Sequence, residues 1–297
     1  MKLKPFVIST RSFDLGIGGI KILHKLCDLL NKSNIESYII NNDNFGLHNS
    51  INQHEVSCYS KYDTPVAPEN LLSNKNDFIA IYPESWYGNH LECKNVIRWI
   101  LGPTDESRVS TWSDNDIWFW YVPMFNHKKY NKKIYSKNID NQLYVGEFHR
   151  DIFKNLNLNR DTTCWSLRKA EFESEKPVFF HPENSNFIPY NACSQLEQLA
   201  YLFNISKQFY CYDAYTFLPI QALMCGCPSV VSPKNEISHD EFINGFILNK
   251  YIAYGISDIP RAISIQDNIS NNIDLIENYT NDQIKIFAEK CYSYFNS

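Results

Sequence analysis

Asp213 and Gln221 flank seven residues in the stretch Tyr212-Asp213-Ala-Tyr-Thr216-Phe217-Leu-Pro-Ile-Gln221-Ala-Leu-Met-Cys-Gly226-Cys-Pro228-Ser-Val-Val231. The stretch reads as a strand end, a short helix, a glycine stop and a buried strand. That layout gathers two polar side chains and a helix start around one small volume. The free N–H groups of such a start, together with the helix dipole, can hold a diphosphate. An ordinary helix between two strands is the plainer alternative.

Other residues carry compatible chemistry. Arg168 and Lys169 are adjacent cations, one a forked donor and one a point charge, a combination suited to a diphosphate. A solvated surface pair is the competing reading. Glu84 follows an apolar run and lies beside Trp86 and Tyr87, rings that suit stacking on a sugar. Its alternatives are an ion pair with Arg98 or a loop cap. His181 and Glu183 follow the run Val178–Phe180, a place that suits a base or ribose, although a structural loop histidine also fits. In Gly16-Ile-Gly18-Gly19 the glycines allow close approach of backbone to a phosphate or sugar, or simply a tight turn. The loop lacks the full dinucleotide-binding fingerprint, which argues against an oxidoreductase. Asp114-Asn-Asp116 has the spacing of an acidic metal pair, but loop acids often precede a strand. No zinc spacing, nucleophile elbow or Walker loop occurs.

These residues need elements to position them. Apolar runs predict strands at 6–10, 36–40, 77–82, 96–101 and 116–122. Ile20, Leu23, Leu26, Cys27 and Leu30 recur at helical spacing between the first two. The second half offers runs at 143–145, 178–180, 208–212, 229–231 and 245–248. Ser194 and Glu197 read as a capping box before Leu196, Leu199, Ala200 and Phe203. Alternating strands and helices predict an α/β chain with parallel sheets, whose ligands sit at the strands' carboxyl ends. The polar segment 126–141 reads as a connection, giving domains at 1–138 and 139–281. Residues 282–297 form an amphipathic helix.

The bulk numbers exclude several classes. With 297 residues, 44% hydrophobic and 15% aromatic, two packed domains are affordable in size. A net charge of −5 supplies no basic field, so no nucleic-acid partner is expected. The first apolar stretch is too short for a signal peptide, and no run reaches the roughly 18 residues of a membrane helix. Nine scattered cysteines fit reduced thiols in a cytoplasmic protein.

The 212–231 block resembles the acidic-x7-acidic signature of retaining, family-4-like glycosyltransferases of the GT-B fold. Gly18-Gly19 with its helix, Ile81-Tyr-Pro-Glu84 through Arg98-Trp99, and Leu167-Arg168-Lys169 extend the resemblance to bacterial and large-virus polysaccharide glycosyltransferases. It implies two Rossmann-like domains across a cleft, with the last helix returning to the N-terminal domain. It implies sugar transfer from a UDP- or GDP-linked donor to a glycan hydroxyl, without a cofactor or metal. By resemblance, Asp213 contacts the transferred sugar and the N–H groups of Thr216 and Phe217 meet the phosphates. Gln221 stands where the second acid grips the ribose, while Gly18 and Gly19 face the donor. His181 and Glu183 join the donor set. Arg168 and Lys169 stabilise the leaving diphosphate, and Glu84 is the base if the enzyme inverts. The alternatives are a catalytically degenerate binding module and a nucleotide-sugar 2-epimerase.

Overall fold

The computed structural model describes residues 3–42, 57–122, 140–172 and 177–296. Two compact units emerge. The first holds the described residues up to Asp14, Gly19–Gly146 and those from Glu277 onward; the second holds Leu15–Gly18 and Glu147–Ile276.

The first unit is built on five strands, β1 (Phe6–Thr10), β2 (Ser37–Asn41), β3 (Ile79–Pro83), β4 (Asn95–Ile100) and β5 (Ile117–Trp120). All pair in parallel, in the order β2-β1-β3-β4-β5. Central strands such as FVIST and IAIYP are buried along their whole length, which is why they read as continuous apolar runs. Helix α1 (Gly18–Lys32) buries Ile20, Leu23, Leu26, Cys27 and Leu30, the stripe expected from spacing. Each such side chain, once fully buried, contributes about 1.5–3 kcal/mol. Two single-turn helices, α2 (Glu69–Leu72) and α3 (Glu106–Val109), complete the connections.

The second unit repeats the plan with β6 (Thr162–Ser166), β7 (Asn186–Phe187), β8 (Ser206–Cys211), β9 (Ser229–Val231) and β10 (Ala253–Tyr254). Their order is β10-β9-β8-β6-β7, again all parallel. Counted from each unit's own first strand, both sheets read 2-1-3-4-5. Helices α4 (Leu196–Ile205), α5 (Leu218–Met224) and α6 (His239–Gly245) link these strands, and α7 (Ile259–Ser264) follows the last of them. Two Rossmann-like α/β units are the architecture that the GT-B resemblance implies. In each, the strand order reverses between the first and third strands, and the carboxyl edge at that reversal is where open α/β sheets take ligands.

Helix α8 (Ile269–Asn296) starts earlier than residue 282. Its later turns belong to the first unit, where Ile284, Phe287, Ala288 and Cys291 pack with Phe6 and Phe119. The expected boundary at 138/139 lies outside the described residues, as does most of the polar segment 126–141; Leu143 and Val145 sit in the first unit's core.

Several local expectations fail for physical reasons. Residues 178–180 form no strand: Val178 is 85% and Phe179 52% exposed, and the Phe180 N–H donates to the Tyr212 hydroxyl instead of a ladder. The edge strand is the shorter β7. The run 245–248 is the end of α6 and the bend after it, with the edge strand β10 following. Ser194 does not cap α4; it closes a 3-10 turn, donating its hydroxyl to the Asn191 carbonyl, and Gln195 takes the N-cap without a side-chain bond.

Candidate functional site

At the reversal point of the second sheet, β6 and β8 end side by side. The Tyr212 N–H donates to the carbonyl of Ser166, the last residue of β6, at 3.0 Å, carrying the pairing one residue past the end of β8. Leu167, Arg168 and Lys169 leave one strand there; Asp213 and the turn before α5 leave the other. Asp213 is 2% exposed. Its Oδ1 accepts the Tyr215 N–H at 2.8 Å and its Oδ2 the Lys169 N–H at 3.3 Å. One carboxylate thus closes its own turn and ties it to the cationic dipeptide.

Arg168 has a φ of +52°, a left-handed conformation uncommon for a residue with a side chain. Its guanidinium is drawn inward, and the residue is 8% exposed. Nη1 donates to the Tyr190 carbonyl at 3.1 Å and Nη2 to the Gly16 carbonyl at 3.4 Å, within the Leu15–Gly18 segment of the same unit. The guanidinium carbon lies 4.2 Å from the centre of the Tyr190 ring. Lys169 is exposed, and its ammonium has no acidic partner among the described residues.

The turn into α5 supplies amides. The N–H groups of Thr216, Phe217 and Leu218 find no acceptor among the described residues, and Pro219 has none to offer. Helix α5 has only seven residues and no side-chain N-cap bond, so its dipole adds little to these amides. The helix start is therefore a weaker anion site than the sequence reading expects. Phe217 packs on Phe148, ring centres 5.5 Å apart. Gln221 lies in α5 at 5% exposure, its amide making no hydrogen bond among the described residues.

His181 stacks on Trp165 with ring centres 4.1 Å apart and planes 15° apart, and its Nδ1 meets the Tyr212 hydroxyl at 2.8 Å. Burial pushes its pKa below the ordinary value, so the ring is neutral near pH 7. Glu183 is exposed nearby in sequence. Tyr212 and Tyr190, which the motif reading passes over, organise this edge. The position of Tyr212 directly before Asp213 at a strand end is the one sequence signal that marks it.

Glu84 and Gly19 belong to the first unit, Gly18 to the second. Glu84 Oε2 accepts the Leu101 N–H at 2.9 Å, the loop-cap alternative. Arg98 instead pairs with Asp116, Nε to Oδ2 at 2.7 Å, and stacks between Tyr82 and Trp112. Asp116 of the acidic pair is thus committed to a buried ion pair. Among the described residues, no group of three or more His, Cys, Asp or Glu side chains is disposed to hold a metal. A Cβ on Gly18 would meet nothing within 4 Å, and on Gly19 only Leu101 at 3.9 Å; neither glycine is forced by crowding. Beside Ser9, His90 places Nε2 3.2 Å from the hydroxyl, and burial with the nearby Arg98 charge lowers its pKa to about 4.

No family model and no curated protein sequence matches the chain. Among solved structures it is similar to an α-glucosyltransferase in complex with UDP and a 13-mer DNA containing a HMU base. The TM-score is 0.43 at 10% identity, covering 99% of this chain and 95% of that one. It is also similar to the spinosyn rhamnosyltransferase SpnG complexed with thymidine diphosphate, with a TM-score of 0.34 at 10% identity over 99% and 96%. A lac repressor dimer bound to operator follows at 0.27 and 9%, over 90% and 76%. No helix among the described residues is long and apolar enough to cross a membrane.

Proposed function

We propose that the chain is a glycosyltransferase that moves a sugar from a nucleoside-diphosphate donor to a hydroxyl of a glycan. The observation that carries this reading is the 3.3 Å contact of the Lys169 N–H with Asp213. It unites the 168–169 cations with the 213–218 turn at the carboxyl edge where a parallel sheet reverses its order.

In the reaction the bond from the sugar's anomeric carbon to the diphosphate breaks and a bond to the acceptor oxygen forms. Charge develops on the departing diphosphate, and preorganised positive groups lower that barrier most. Lys169 and the amides of Thr216, Phe217 and Leu218 are the positive groups at this edge. In a retaining transfer the acceptor's proton ends on the leaving phosphate, and no protein base is needed. Asp213 holds the turn that presents these amides; His181 and Tyr212 serve the base or ribose.

A panel of UDP-, GDP- and TDP-linked sugars with glycan acceptors tests this, read as released nucleotide. Because one similar structure holds DNA, a hydroxyl-bearing oligonucleotide belongs among the acceptors; the net charge of −5 favours the glycans. Transfer or donor hydrolysis that is lost in Asp213→Ala supports the reading. Gln221, an amide where an acid would assist, favours a second reading, a module that binds nucleotide without turnover. Binding with no release of nucleotide from any donor would establish that second reading.

A further inference from the structure

Resting on the reading of this edge as a diphosphate site, we infer that the two neighbouring cations have different tasks. Lys169 meets the diphosphate; Arg168 is a positioning residue that holds the turn in place.

The two environments differ in kind. Arg168 is 8% exposed and gives its two terminal nitrogens to the Tyr190 and Gly16 carbonyls while stacking on the Tyr190 ring. Swinging out to a ligand would abandon both bonds and leave the carbonyls they satisfy without that partner. Its left-handed φ of +52° turns the chain sharply out of β6. That reversal sets the direction of the 168–169 peptide, whose N–H reaches Asp213. A strained backbone persists where surrounding contacts over-determine it, and here the buried guanidinium is the contact. The same fork that suits Arg to phosphate suits it to two carbonyls at once.

Lys169 is fixed at its backbone and exposed at its tip. The Asp213 bond anchors its amide, while its ammonium extends into solvent with no acidic partner among the described residues. A point charge on a flexible stem needs no preset angle to meet a phosphate oxygen. The pair therefore acts as a strut followed by a contact, not as a two-pronged clamp.

Calorimetric titration with UDP, GDP and inorganic pyrophosphate, uridine and guanosine as controls, together with thermal melts, tests the division. Lys169→Ala is expected to keep the wild-type Tm within about 1 °C and to weaken diphosphate binding about 10–100-fold. Nucleoside binding should not change, and Lys169→Arg should restore most of the loss. Arg168→Gly accommodates the left-handed backbone but removes the fork, and Arg168→Lys keeps the charge without it. Both are expected to lower Tm by about 5 °C or more. Wild-type diphosphate affinity in Lys169→Ala overturns the contact. An unchanged Tm with weakened pyrophosphate binding in Arg168→Gly overturns the strut. A wild-type chain that binds none of the probes ends the diphosphate reading and the Lys169 contact with it, whereas the melts still decide the role of Arg168.

Discussion

The Asp213 carboxylate reaches across 44 residues of sequence to the backbone N–H of Lys169. It joins the ends of β6 and β8, so one side chain ties the cationic dipeptide to the turn before α5. Asp213→Ala should cost about 1 kcal/mol, because two part-buried backbone donors lose their acceptor. Asp213→Asn, which keeps an acceptor oxygen, should cost less. Urea unfolding measures both, and equal midpoints for the two variants would refute the carboxylate's structural role.

Arg98 and Asp116 form an ion pair with side chains 1% and 5% exposed. Removing one partner leaves the other charge buried, which typically costs about 3–5 kcal/mol. Asp116→Ala should show that loss in chemical denaturation. The double variant Arg98→Met with Asp116→Leu should recover most of it; a double variant as unstable as the single one would mean that the charge is not the cause.

His90 predicts a pH dependence. Burial, aided by the Arg98 charge, lowers its pKa from 6.5 to about 4. Below pH 6.5 the unfolded chain binds a proton that the folded chain refuses until about pH 4, so stability declines across that window as pH falls and levels off beneath it. His90→Gln should flatten the Tm profile between pH 6.5 and 4. A profile parallel to wild type would remove His90 from the account.

Gly226 stops α5 with a φ of +74°, and a Cβ there would come within 2.7 Å of Asn155 Nδ2 and 2.8 Å of Arg160 Nη2. That arginine binds the carbonyls of Phe203, Ser206 and Cys225, so it yields only by breaking those bonds. Gly226→Ala combines backbone strain with this clash and should cost about 1–3 kcal/mol. Thermal melts check it; a Tm equal to wild type would show that the loop relaxes freely.

Legibility followed burial and length. Strands buried on both faces, such as Phe6–Thr10 and Ser229–Val231, announce themselves as apolar runs. The edge strands Asn186–Phe187 and Ala253–Tyr254 have two residues each, too few to show any period. Val178–Phe180 reads as a strand because it is apolar, yet the Tyr212 hydroxyl takes the Phe180 N–H at 2.9 Å and no ladder forms.

The chain's own order of residues determined the α/β class, the stripe of α1, the glycine stop after α5 and the types of side chain available at 168–169 and 213–221. Those follow from local periodicity, propensity and side-chain type, which a linear reading contains. Tertiary structure alone decided that Asp213 spends its carboxylate on backbone amides, that Arg168 turns inward while Lys169 turns outward, and that Asp116 answers Arg98. Each depends on which groups a fold brings within 3–4 Å after burial has removed water, and sequence separation carries no information about that distance.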